Sequence, residues 1–288
     1  MIPALANRSK TDRPVQCPHC NYRRVDLFMA SHQTVIVTGG AGGGIGHGIS
    51  TVMARAGWHV LIADVDDQAA DQLHQALAGE QLSVKALTVD LTDDDAPKRV
   101  IDAAVSWTGA VHGLVNNAGR PLCETATDIS DDQFDAVMAL NLRAIFRLSR
   151  EALGQLQKTG GSIVNIASVH ARATMTTFSV YAASKAAVEG LTRGLAVDFG
   201  PHGVRANCVL PGLVDGPQSR RILAELVDDV EAFMDDWLKT SQLLPYATMP
   251  QDVGKLVAFL LSDDARAITG QSVAIDAGTL TQLVNRGE

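Results

Sequence analysis

Residues 34–46 read Thr34-Val-Ile-Val-Thr-Gly-Gly-Ala-Gly-Gly-Gly-Ile-Gly46. The β-branched run has the composition of a short strand. A glycine cluster follows, and Ile45 to Ala56 reads as a helix. Strand, glycine turn and helix, in that order, let backbone approach a phosphate and aim the N–H groups that open the helix at its charge. A glycine turn alone is weak evidence, so the rest of the chain has to agree with it.

It does. After the first strand, extended runs recur at 59–64, 84–89, 111–116, 162–167, 204–210 and 272–275. Between them lie helical stretches at 66–78, 93–107, 130–157, from Tyr181 to about Phe199, and at 251–261, with Ser130 as an N-cap. Strands alternating with helices predict an α/β fold: a doubly wound, Rossmann-type, mainly parallel seven-stranded sheet with helices on both faces. No repeat or low-complexity linker divides the chain after residue 33. We therefore expect one domain over 33–288, with residues 212–248, which carry an acidic helical patch at 222–238, as a substrate lid. Residues 1–32 read as an extension. They hold Cys17-Pro-His-Cys20, but a structural zinc site wants four ligands and no second pair is present, so no metal is expected. Met29 is a candidate alternative start.

Composition narrows the function. The 288 residues are 46% apolar with a formal net charge of −8 and no long basic stretch after residue 30, which argues against nucleic acid and anionic membranes as partners. No run of 18 apolar residues predicts a transmembrane helix. Four cysteines are too sparse for a disulfide scaffold, and a reducing cytoplasmic setting fits them.

Two further patterns carry chemistry. Asp64 ends the second strand, 20 residues after Gly44, where a carboxylate can accept hydrogen bonds from an adenosine ribose. It would repel a 2′-phosphate, and no lysine or arginine stands at 47 or 65 to attract one, so NAD is favoured over NADP. Downstream, Tyr181 and Lys185 are spaced i, i+4 on one helix face, and Ser168 ends a strand. An ammonium beside a phenol lowers its pKa, and a serine hydroxyl can hold a substrate oxygen, which outlines a general acid/base site.

With these residues the chain resembles the short-chain dehydrogenase/reductase family over about 33–278. The glycine motif is matched by Gly40, Gly44 and Gly46, with Ile45 between the last two and one extra residue after Thr38. Asp90-Leu91 falls where the family has its adenine-side aspartate, and Asn116-Asn117-Ala118-Gly119 on its fourth-strand motif. Asn141 falls on its relay asparagine, and Ser168, Tyr181 and Lys185 on its catalytic residues, with 13 positions from serine to tyrosine. Pro211 and Gly212 follow the sixth strand, but Gly216 stands where the family often has a threonine or serine for the nicotinamide carboxamide. The resemblance implies that Tyr181 exchanges a proton with an alcohol or ketone while hydride moves to or from the nicotinamide. It also implies that Lys185 lowers the tyrosine pKa and binds the ribose, that Ser168 positions the substrate, and that Asn141 holds a relay water.

Arg120, His170 and Arg172 lie near the expected pocket. An arginine fork suits a carboxylate, so a hydroxy acid, sugar acid or polyol is an expected substrate class, contacted by Ser168, His170, Arg172 and Tyr181. Small residues at 182, 183, 186, 187, 190 and 194 permit close helix packing, and the family's habit implies a homodimer or homotetramer. The alternatives are an NADP-linked ketone reductase and a non-catalytic dinucleotide-sensing scaffold.

Overall fold

A computed structural model describes residues 33–281. The Cys17–Cys20 motif, Met29 and the rest of the expected extension lie outside the described residues.

Seven strands form one sheet: β1 (Thr34–Thr38), β2 (His59–Asp64), β3 (Val84–Thr88), β4 (Gly113–Asn116), β5 (Ser162–Ile166), β6 (Arg205–Pro211) and β7 (Ser272–Ile275). Their order is β3-β2-β1-β4-β5-β6-β7, and every pairing is parallel. The chain starts in the middle, winds outward to β3, returns beside β1 and winds out the other way. This is the doubly wound Rossmann-type arrangement, and it brings the carboxyl ends of the strands to a common edge.

The strands are apolar on both faces because both faces are covered. Val35 and Val37 face one layer, formed by α1 (Ile45–Arg55), α2 (Asp67–Gly79) and α9 (Pro250–Leu261), with Ile49, Met53, Leu73, Val253 and Val257 buried there. Ile36 faces the other layer, built from α3 (Ala96–Thr108), α5 (Ala144–Thr159) and α6 (Ser179–Phe199), with Val100, Leu148, Leu156, Leu195 and Phe199. The period-2 alternation splits β2, β4 and β5 in the same way.

Three local departures from the expected elements have physical causes. The helix expected from Asp93 begins at Ala96, because the aspartates 93–95 form the turn ahead of it and Pro97 suits a first turn. The helix expected over 130–157 is interrupted: α4 (Asp131–Met138), capped by a reciprocal Ser130–Gln133 box, passes through a π-helical turn at Ala139–Arg143 before α5. The acidic patch at 222–238 is two helices, α7 (Pro217–Leu223) and α8 (Val230–Thr240), the second capped by Asp229. Among the described residues no helix is long and apolar enough to cross a membrane.

One polar network is buried between sheet and helices. Asn116 Nδ2 donates to Asn165 Oδ1 at 2.8 Å and to Ser149 Oγ at 3.2 Å. Asn165 Nδ2 donates to Thr192 Oγ1 at 2.9 Å, and Thr192 Oγ1 donates to the carbonyl of Val188 at 2.7 Å. The chain of bonds joins β4 and β5 to α5 and α6. Thr192→Val keeps the shape but leaves the Asn165 amide without its acceptor in a dry site. We expect it to lower unfolding free energy by about 1–3 kcal/mol, read by urea denaturation at unchanged slope; an unchanged midpoint would show the network to be dispensable.

Candidate active site

The loops beyond the strand ends enclose a cavity of about 1190 Å³. Its lining divides into a glycine and acid end, a phenol and amine floor, and an apolar third wall.

At the first end, Gly44 opens α1 with no side-chain cap and no acidic residue in the first turn, so the amides there are left for an external acceptor. Gly39, Gly42, Gly44 and Ile45 line the cavity. Gly40 and Gly46 do not; they are packing positions. The Gly40 carbonyl accepts from Ser50 Oγ at 3.0 Å. A Cβ on Gly46 would lie 1.9 Å from the carbonyl oxygen of Gly39 and 2.5 Å from Asn117 Nδ2. Asn117 Nδ2 donates to the carbonyls of Thr38 and Gly39, and Thr38 Oγ1 accepts from the amides of Asn117 and Ala118, which clamps β1 to the chain leaving β4.

Asp64 lines the same end and is 9% exposed. Its Oδ2 accepts from the amide of Ala41 at 2.9 Å and its Oδ1 from the amide of Asp66 at 3.1 Å. Ala41, within the glycine loop, thus sets its amide on the carboxylate. Asp90 and Leu91 line the next wall; Asp90 Oδ1 takes both donors of Thr92, which holds its pKa below the usual carboxylate value. Asn117, Ala118, Gly119 and Gly212 also line the cavity, whereas Pro211 closes β6 behind it. An uncapped helix start, a glycine cradle and a strand-end acid fit a dinucleotide.

On the floor, Ser168 caps a short turn after β5, and α6 carries Tyr181 and Lys185. The Tyr181 phenol lies beside the Ser168 side chain, which acts to lower its pKa. Lys185, 4% exposed, donates from Nζ to the carbonyl of Ile166 at 3.0 Å and lies 5.7 Å from the Tyr181 ring centre. Burial dominates both groups. It pushes the phenol up to about 12, opposed by the Ser168 bond, and the amine down to about 8. The expected lowering of the tyrosine pKa is thus not a property of the protein groups by themselves. Asn141, fully buried in the π turn, accepts from the Arg120 amide at 2.9 Å and donates to the Arg120 carbonyl at 3.0 Å and to Ser184 Oγ at 3.1 Å. It thereby fixes the strand exit beside Lys185.

The third side differs most from expectation. His170 lines the cavity, stacks against Phe178 and meets Tyr181 edge-on; burial lowers its pKa, so it is a neutral aromatic wall. Arg172 is not in the lining. Its guanidinium is bound by Glu189 at 2.9 Å, on α6, which corrects its expected role as a substrate fork. Arg120 remains at the rim. The segment from α7 to α8 contributes residues not singled out beforehand: Ile222, Leu223, Leu226, Val227, Phe233 and Trp237. Phe233 and Trp237 are four apart on α8, a spacing that could have found them once the helix was placed. Ser219, three residues beyond Gly216, takes the Gly216 amide on its hydroxyl at 3.0 Å and also lines the cavity.

Comparison with known proteins places this architecture. A family model described as enoyl-(acyl carrier protein) reductase matches residues 40–280. A protein of Bradyrhizobium diazoefficiens described as a short-chain type dehydrogenase/reductase is 39% identical over 254 residues, covering 86% of this chain and 88% of its own. The 7alpha-hydroxysteroid dehydrogenase of Bacteroides fragilis is 34% identical, covering 85% and 93%. The crystal structure of a short-chain dehydrogenase/reductase from Burkholderia xenovorans superimposes with a TM-score of 0.82 at 30% identity, over 88% of this chain and 98% of that one. The chain belongs to the short-chain dehydrogenase/reductase family. It is accordingly an NAD(P)-dependent oxidoreductase acting on CH–OH groups.

Gly46→Ala tests the packing role of the loop. The added methyl must move either the Gly39 carbonyl or Asn117, and we expect a loss of about 1–3 kcal/mol of stability together with weakened dinucleotide binding, read by thermal unfolding and calorimetric titration. Unchanged values of both would show that the loop tolerates a side chain there.

Proposed function

We propose that the protein interconverts a secondary alcohol and a ketone with NAD as cofactor and Tyr181 as the acid/base. The observation that carries this is Ser168, Tyr181 and the buried amine of Lys185 lining the floor of one cavity, with the amine 5.7 Å from the centre of the Tyr181 ring. Ser168 holds the reacting oxygen; Tyr181 takes its proton in oxidation and returns it in reduction. Lys185, while protonated, favours the phenolate across the short gap and opposes the effect of burial. Asn141 keeps the Arg120 backbone and Ser184 in place around that amine, and is suited to a relay water. The bound nicotinamide supplies the hydride chemistry.

Asp64 supports NAD: its carboxylate stands at the strand end where a 2′-phosphate would meet like charge. The NADP-linked and non-catalytic alternatives have no comparable observation behind them. The hydroxy-acid reading loses Arg172 and keeps only Arg120. The lining of Phe178, Met175, Leu226, Phe233 and Trp237 supports instead an alcohol on a largely apolar body, covered by residues 212–248 as a lid. Exposed small residues on α6, at Ala183, Ala186, Gly190 and Gly194, support a homodimer or homotetramer.

Tyr181→Phe is expected to abolish turnover while still binding dinucleotide, and titration of that variant should show NAD bound at least about tenfold more tightly than NADP. Substantial residual turnover, or equal affinities, would overturn the respective half of the proposal. The pH profile gives an independent check. Oxidation needs the phenolate of a group that burial holds well above neutrality, so kcat/KM for the alcohol should climb by up to about tenfold per pH unit from pH 6 towards about 8, where Lys185 begins to lose the proton that favours the phenolate. Reduction needs the phenol, already present throughout that range, and should not climb. A flat or falling oxidation profile would count against Tyr181 as the base.

A further inference from the structure

The segment from Val169 to Phe178 is a cavity wall that starts at Ser168 and ends just ahead of Tyr181. His170, Met175, Thr177 and Phe178 line the cavity from it. Two of its rings face the phenol: the His170 ring centre lies 5.5 Å from that of Tyr181, and the Phe178 ring centre 6.1 Å. The wall is held under strain. Thr177 has φ +70°, in the left-handed region, which costs a β-branched residue conformational energy and persists only where the surroundings impose it. Its hydrogen bonds are mostly local, as in the bonds of the His170 and Ala171 amides to Ser168 and of the His170 ring to Thr174. Among the described residues, Arg172 alone ties the stretch 169–177 by hydrogen bonds to another element. Its Nε and Nη2 both donate to Glu189 Oε1 on α6, at 3.2 and 2.9 Å, and Nη2 also donates to the carbonyl of Ser272 on β7 at 3.5 Å.

Glu189 completes a row on α6. Tyr181, Lys185 and Glu189 are spaced i, i+4 and i+8, so they share one helix face. Each meets the chain leaving β5: Tyr181 lies beside Ser168, Lys185 bonds the carbonyl of Ile166, and Glu189 holds Arg172. Glu189 is only 7% exposed, so removing its cation would leave a charge with little access to water. We infer that Arg172 and Glu189 are positioning residues whose ion pair holds the Val169–Phe178 wall against Tyr181. Loss of the pair would let the strained turn at Thr177 relax and carry His170 and Phe178 away from the phenol together. The inference rests on the proposed function, since it matters for the reaction only if Tyr181 is the acid/base.

The test reads Tyr181 itself. The chain has three tyrosines, Tyr22, Tyr181 and Tyr246. Labelling with 3-fluorotyrosine gives a fluorine NMR spectrum in which the Tyr181 signal is the one lost in Tyr181→Phe. Glu189→Gln and Arg172→Met break the ion pair from opposite ends. In each, the Tyr181 signal should move by more than its linewidth, because the rings of His170 and Phe178 move relative to it. Arg172→Lys, which keeps the cation, should move it less. The double variant Arg172→Met/Glu189→Gln should move it no further than the larger single change, as expected of two residues acting through one contact. The Tyr246 signal should stay in place, and the calorimetric affinity for NADH should change by less than about twofold. A Tyr181 signal at its wild-type position in either single variant would overturn the inference. Additive displacements, or an equal displacement in Arg172→Lys, would do the same. Loss of NADH binding or of the folded state in both single variants would assign the pair to the fold as a whole and also overturn it. None of these readouts involves turnover. A stationary signal leaves Tyr181 as the acid/base, whereas residual turnover in Tyr181→Phe would sink the catalytic reading without moving any signal in the other variants.

Discussion

The amine of Lys185 rests on the carbonyl of Ile166, 3.0 Å away, in surroundings dry enough to bring its pKa down to about 8. Holding a lysine there costs stability, since no carboxylate is paired with it among the described residues. Several elements exist in their observed form because of that contact. β5 must end where α6 begins its second turn, and the Asn165–Thr192 bond one layer below pins the two together. The chain leaving β4 must pass over the amine: a Cβ on Gly119 would stand 3.3 Å from Nζ and 3.1 Å from Asn141 Oδ1. Asn141 reaches that place from the π turn, whose wider coil turns one side chain out of helical register.

The frame of this arrangement was open to reading because it depends on local pattern. β-branched runs, glycine punctuation and the serine–tyrosine–lysine spacing are properties of short segments, and the strands fall within a residue or two of the positions they suggest. What escaped depends on neighbours far along the chain. The apolar spacing through 130–157 runs on unchanged across the π turn, so nothing in the period betrays it. Arg172 reads as a free cation beside the pocket until Glu189, 17 residues away, is brought against it by α6. Gly40 and Gly46 share a motif with Gly44, but only packing shows that they separate backbone from backbone while Gly44 faces the cavity. The upward shift of the Tyr181 phenol is likewise a consequence of burial, which no spacing encodes.

Charge is distributed unevenly around the cavity, and the unevenness organises it. The dinucleotide end presents amides and two carboxylates; the lid presents hydrocarbon and aromatic rings. The lid's own charges are directed at each other or outward. Arg220 on α7 is gripped by both oxygens of Asp215 and reaches Glu231 on α8, so one guanidinium ties the lid's base to its two helices. The backbone is anchored beside it where Val214 bridges to Thr248 and Asp215 donates to the Thr248 carbonyl.

The carboxylate of Asp64 holds the amide of Ala41, a residue inside the lengthened glycine loop. The charge at the end of β2 and the shape of the glycine turn therefore depend on one side chain. Shortening or neutralising Asp64 would release the loop at the same moment, so no single substitution there changes the local charge alone. Any change at that position must also give the Ala41 amide another acceptor.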